Sequence, residues 1–130
     1  MEIIEDYWYW AKVLEVKDGD TVQLKVDLGF QDITLQETFR LHILDTHERR
    51  RIKRHGVKVT EAEVVSGKAA TEVAKNLILE SKVRVQTFKA TGMGPYCRWI
   101  CKLYFIEDNE WKNYTLVMQD LGFDRNLNPL

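Results

Sequence analysis

The chain has little of what marks a secreted, metal-clipped or membrane protein. It has two cysteines, Cys97 and Cys101. Along a strand they would lie roughly 13 Å apart, too far for a disulfide. Both are therefore expected to be reduced, as in the cytosol. There is no Cys-x-x-Cys pair and no Cys/His set at zinc spacing. No apolar run is long enough to span a bilayer. The start, MEIIEDYWYW, lacks the basic segment and long apolar stretch of a signal peptide. The expectation is a cytoplasmic, monomeric protein without membrane contact, secretion being open only if a leader has been removed. Neither sign of charge dominates: 19 Lys and Arg face 20 Asp and Glu, for a net charge of −1. That balance excludes a chain that coats nucleic acid along its whole surface. Repeats, linkers and low-complexity segments are also missing.

What is present is ordinary globular composition, 45% apolar and 30% charged over 130 residues. That suits one domain, 1–130, with a single core. The charge is unevenly placed. Glu2, Glu5 and Asp6 make the start acidic, while Arg49, Arg50, Arg51, Lys53 and Arg54 form a basic block. One basic segment on a near-neutral chain suits a local polyanion contact.

Trp8 to Val16 is rich in aromatic and branched residues and reads as a strand. "KDGD" (17–20) is a hairpin turn, because Asp-Gly between two β-type runs is a strong signal. "TVQLKVDL" (21–28) alternates, with Val22, Leu24, Val26 and Leu28 on one face. A third strand is expected over about Thr38 to Leu44. Arg49 to Gly56 is too charged for core and reads as a loop. Thr60 and Glu63 have capping-box spacing and open a helix. Its apolar stripe joins Ala69, Val73 and Leu77 to Ala70, Ala74 and Ile78. "KVRVQTF" (82–88) and "YCRWICKLYF" (96–105) are the fourth and fifth strands. "EDNE" (107–110) is a turn. A short helix from about Asn113 stops at Gly122, a C′ glycine. The fold expected is mainly β (α+β), a five-stranded Greek-key barrel of the OB type. One helix lies between strands three and four, and a short one near the C-terminus.

Four places can carry chemistry. Asp18-Gly19-Asp20-Thr21 sits at the first turn, and Asp45-Thr46-His47-Glu48 follows the third strand. Each alone is most simply a turn or a solvated strand end. Arg40, inside an apolar strand, needs a partner, since an unpaired buried charge is expensive. Tyr96-Cys97-Arg98 opens the fifth strand after a glycine-rich loop. Taken together they read differently. Asp20 and Asp45 offer oxygens to a hard cation such as Ca²⁺. Glu48 is placed to take a proton from an attacking water. Arg40 and Arg98 are suited to grip phosphate oxygens and stabilise charge building on phosphorus. Strict alternation puts Arg40 and Asp45 on opposite faces, so a shared site requires the strand to end before Asp45.

The pieces "VKDGDTVQL", "FRLHILDTHE", "SGKAATEVAKNLI", "YCRW" and "NYTLVMQDLGF" resemble, in order and rough spacing, the staphylococcal nuclease (thermonuclease, micrococcal nuclease) family. The resemblance runs from about Ala11 to Phe123. It implies Ca²⁺ held by Asp20, Asp45 and the Thr46 carbonyl, with Glu48 as general base. It implies that Arg40 and Arg98 bind the scissile phosphate and that Tyr96 lies near a terminal phosphate. Family members hydrolyse DNA and RNA and leave 3′-phosphates. His47 stands where the family usually has proline, which is expected to free the backbone beside Glu48. Cys97 stands where it usually has glycine.

The basic block Arg49, Arg50, Arg51, Lys53 and Arg54 beside such a site is a candidate for steering substrate; its plainer reading is a solvated loop. His42 reads as a strand-face or core residue, His47 and His55 as solvated. Tyr7-Trp8-Tyr9-Trp10 suits either base stacking or cover for an open barrel end, the latter being the simpler reading. The competing function is a non-catalytic nucleic-acid-binding module, and a third reading is a protein-interaction OB domain. The full set Asp20, Arg40, Asp45, Glu48 and Arg98 separates the nuclease from the binding module, whose members lose the acids, and a protein-interaction domain would leave that set without a purpose.

Overall fold

The computed structural model describes residues 7–49, 53–54, 57–88 and 99–130, with only the backbone given at 53–54 and 57–58. In chain order the elements are β1 (Trp8–Asp18), β2 (Thr21–Asp27), β3 (Thr34–Leu41), β4 (Lys53–Arg54) and β5 (Val57–Lys58). Then come α1 (Glu61–Ile78), β6 (Lys82–Thr87), β7 (Trp99–Glu107), β8 (Glu110–Asn113) and α2 (Tyr114–Asp120). The main sheet runs β3-β2-β1-β6-β7-β8. A parallel pairing of β3 with β7, Phe39 opposite Trp99 through Leu41 opposite Cys101, closes five of these strands into a barrel. The architecture is an OB-type barrel with one helix after the third barrel strand and a short one near the C-terminus, as the alternation and caps require.

Alternation fills the barrel: Val22, Leu24 and Val26 of β2, Val83 and Val85 of β6, and Cys101, Leu103 and Phe105 of β7 are all buried. On β1 the inward residues are Ala11, Val13 and Val16. Two register shifts, between Val13 and Glu15 and between Val16 and Asp18, explain the broken parity. Each extra residue re-aims the strand and tightens its twist, as barrel closure needs. Thr60 caps α1, its side chain accepting from the Glu63 backbone N–H at 3.2 Å. Gly122, at φ +86°, follows α2 as its sequence position suggested.

Four expectations are corrected. The third barrel strand ends at Leu41, not Leu44. Ala69 is exposed, and the buried α1 face runs instead through Val64, Gly67, Ala70, Thr71, Ala74 and Ile78. The segment read as a loop contains β4, which pairs antiparallel with β5 just beyond it. Finally, β8 extends the sheet beyond the barrel through a hairpin at Asp108 (φ 53°) and Asn109 (φ 63°), the left-handed pair of a type I′ turn. No helix among the described residues is long and apolar enough to cross a membrane.

Candidate functional site

The chain turns sharply where β3 ends. His42 N–H donates to the Cys101 carbonyl at 2.9 Å. The exposed Ile43 then adopts φ 56°, a conformation strained for a β-branched side chain. The ladder stops there, so alternation no longer applies and Asp45 swings back over Arg40. The Arg40 guanidinium reaches Asp45 Oδ1 at 3.1 Å and Asp20 Oδ2 at 3.3 Å. Arg40 thus has the partner its place in an apolar strand demanded, and the strand ends before Asp45 as a shared site required.

Asp20 arrives from the β1–β2 turn and is buried. Its carboxylate accepts from Thr21 Oγ1 at 2.9 Å and from the Thr46 backbone N–H at 3.0 Å. The turn is pinned from below by Tyr114 of α2, whose buried hydroxyl donates to the Gly19 carbonyl at 2.6 Å. Burial, and then the nearby Asp20 charge, push the Tyr114 hydroxyl far above its ordinary pKa, so it stays protonated. Gly19 does not have the positive φ that the Asp-Gly hairpin signal suggests. Its role is close approach: a Cβ there would lie 2.8 Å from Thr46 Cγ2 and 3.1 Å from Ala70 Cβ.

Gly67, in the middle of α1, does the same for Glu48. A Cβ there would collide with the Glu48 carbonyl group and the His47 carbonyl oxygen. A mid-helix glycine costs about 1 kcal/mol relative to alanine; here it lets the helix touch the 47–48 backbone directly. One expectation is corrected next to it. His47 is buried rather than solvated. His47 Nε2 lies 3.1 Å from the Asn128 carbonyl. Glu48 itself is half-buried.

The C-terminal segment closes over the site, which nothing in "DRNLNPL" signals. Arg125 N–H donates to the Asp45 carbonyl at 2.7 Å. The Arg125 guanidinium sits 3.8 Å from Glu63 of α1. The buried Asp124 accepts from Gln119 at 2.9 Å, and Gln119 also donates to the Ile43 carbonyl at 3.3 Å. Between β3, the 42–45 turn and this segment lies a cavity of about 390 Å³, with Arg40, Asp45, Gln119 and Asn126 in its wall.

The structure therefore brings Asp20, Arg40, Asp45 and Thr46 together, with the Glu48 backbone fixed beside them. Arg98, Tyr96, Arg50 and Arg51 lie outside the described residues, as do Cys97 and His55. Arg49 is engaged with Asp18, Nε to Oδ1 at 3.0 Å. Lys53 and Arg54 fall on β4. Sequence reasoning missed Tyr114, Gly67 and Arg125 as supports; a glycine interrupting a helical pattern was the one usable signal, since it needs a packing reason. Comparison with models of known protein families and with curated proteins found no match, so the family likeness rests on the motifs themselves.

Donor chemistry at the site suits a hard cation. Two carboxylates and the Thr46 carbonyl are all oxygen, and the buried Thr46 hydroxyl has no hydrogen-bond partner. Among the described residues no three His, Cys, Asp or Glu side chains converge. A bound cation would complete its shell with carbonyls and water.

Proposed function

We propose that this chain is a Ca²⁺-dependent phosphodiesterase of the staphylococcal nuclease type that hydrolyses DNA, RNA or both to 3′-phosphates. One observation carries the reading. The buried Asp20 of the β1–β2 turn and Asp45 beyond β3 converge on the one guanidinium of Arg40, and Arg40 and Asp45 stand in the wall of a cavity. A solvated turn or strand end has no need of that convergence.

Asp20, Asp45 and the Thr46 carbonyl would hold the cation, which would supply Lewis-acid stabilisation of charge on a phosphate oxygen. Arg40 keeps 31% of its side chain exposed while paired to both acids, so its remaining donors are open to a phosphate in the cavity. Arg98 takes the second phosphate oxygen, a role resting on the resemblance. Glu48 accepts a proton as water oxygen bonds to phosphorus and the bond to the 5′ oxygen breaks. The departing oxygen is protonated from solvent, and the phosphate stays on the 3′ side. Gly67 matters here indirectly, because it fixes the backbone from which Glu48 reaches.

The test is incubation with single- and double-stranded DNA and RNA under Ca²⁺, Mg²⁺ and chelator, with analysis of the cut ends. Cleavage under Ca²⁺ that leaves 3′-phosphates is expected. Full activity in excess chelator would remove the metal from the account. Binding without cleavage of any substrate would make the chain the non-catalytic binding module instead.

A further inference from the structure

The aromatic run at the start of β1 splits between the two faces of the barrel wall. Tyr9 packs against the core. Trp8 and Trp10 point outward and retain 36% and 37% of their surface. They do not stand alone. Trp8 lies 5.5 Å from Tyr104 of β7, and Trp10 lies 5.7 Å from Trp111 of β8, both pairs tilted. The strand missed in the sequence thus delivers a fourth ring, Trp111, to the same outer face. These rings and Arg84 form the wall of a cavity of about 380 Å³. A larger concavity of about 770 Å³ adjoins it across Trp10 and includes Lys12, Lys25 and Lys82.

Three features narrow what fits. The rings form a recess rather than a protruding ridge, which suits a planar group sliding in and suits membrane insertion poorly. Cations sit among them, Lys82 Nζ at 4.5 Å and Arg84 Cζ at 4.9 Å from the Trp10 centroid. Those charges repel a quaternary-ammonium or methylated-lysine ligand, the usual guest of an aromatic cage. Lys12, Lys25 and Lys82 then line the path leading away from Trp10; its acids, Asp27, Asp32 and Glu80, also border that concavity. The three lysines and three acids of that concavity balance, so the positive charge is concentrated in Lys82 and Arg84 beside the rings. Rings with cations among them are what a single-stranded nucleic acid uses, bases on the rings and phosphates on the cations.

We propose that this outer β1-β6-β7-β8 face binds single-stranded nucleic acid by stacking, as a second contact remote from the Asp20–Arg40–Asp45 site. OB-type barrels ordinarily use the strand-two and strand-three face instead. The inference rests on the nuclease reading only in taking nucleic acid as the ligand, and the binding measurement stands whether or not the chain cuts.

The test measures affinity for a labelled oligothymidylate in chelator, for wild type, for Trp10→Ala with Trp111→Ala, and for Trp10→Leu with Trp111→Leu. The leucine pair keeps apolar cover, so it carries the test if the alanine pair does not fold. Either folded pair is expected to bind at least roughly tenfold more weakly, the scale of lost base stacking. Lys12→Gln with Lys82→Gln should flatten the salt dependence of binding. Hydrolysis of a small phosphodiester under Ca²⁺, such as bis(p-nitrophenyl) phosphate, should match wild type in the aromatic variants. Wild-type affinity in a folded aromatic variant overturns the proposal, as does binding to anionic lipid vesicles without binding to the oligonucleotide. A wild type that binds but cuts nothing, with binding still lost in the aromatic variants, defeats the nuclease reading and supports this one.

Discussion

At one end of β1 the Asp20 carboxylate keeps 8% of its surface and meets a hydroxyl, an amide and a guanidinium. Near the other end Trp10 keeps 37% and meets a ring and two cations. The first region is specified by the hydrogen bonds around Asp20, because a buried carboxylate that loses its partners costs about 1–3 kcal/mol or more. The second is specified by exposed surface that the fold scarcely needs. Substitution near Asp20 should therefore disturb stability and chemistry together, whereas substitution on the aromatic face should disturb binding alone.

The largest expected effect breaks the polar region at its centre. Arg40→Ala removes the group that both acids share. If Arg40 also binds phosphate, hydrolysis should fall on the order of a hundredfold or more, as for a lost transition-state donor. The rate should be taken on a small phosphodiester and on an oligonucleotide. A loss confined to the oligonucleotide would place Arg40 in binding rather than chemistry and erase the contrast with the aromatic face.

Gly67→Ala acts next, through the backbone. The added methyl must push the Glu48 carbonyl aside, and overpacking of this kind costs about 1–3 kcal/mol. That exceeds the helix propensity gained, so the urea midpoint should fall and hydrolysis with it. An unchanged or raised midpoint would mean that the helix and the 47–48 segment are not in contact. Tyr114→Phe is smaller. It leaves the Gly19 carbonyl without its buried donor and should cost about 1 kcal/mol, read as a fall in the urea midpoint. An unchanged midpoint would show that the β1–β2 turn is held by other contacts.

Much of the barrel was legible because it follows local rules. The 21–28 alternation, the Thr60–Glu63 cap and the Gly122 stop each depend on residues within a few positions. What was not legible depends on partners far away. β8 has no alternating apolar face of its own and exists because the Asp108-Asn109 turn folds it onto β7. His47 sits in a polar stretch and reads as solvated, yet Asn128 lies against it from 81 residues away. The candidate site divides in the same way. Asp20, Arg40 and Asp45 could be picked out by residue type, but their meeting depends on the turn at Ile43, a residue whose type argues against that conformation.

The smallest effect concerns His42, just after the end of β3. Its carbonyl accepts from Thr115 Oγ1 at 3.1 Å beside the polar site. Its ring lies 4.8 Å from Phe88, whose face Lys102 approaches at 5.8 Å. Burial first, and the Lys102 charge second, lower the imidazole pKa from its ordinary 6.5. The folded chain then binds this proton less readily than the unfolded chain. Full stability from this group is present above about pH 6.5; it declines as pH falls through the folded value and is flat below. Urea midpoints between pH 7.5 and 5 should drop more for wild type than for His42→Gln. Lys102→Gln should shrink the difference without abolishing it, because desolvation is the larger cause. Equal pH slopes in wild type and His42→Gln would show that the ring is as well solvated when folded as when unfolded.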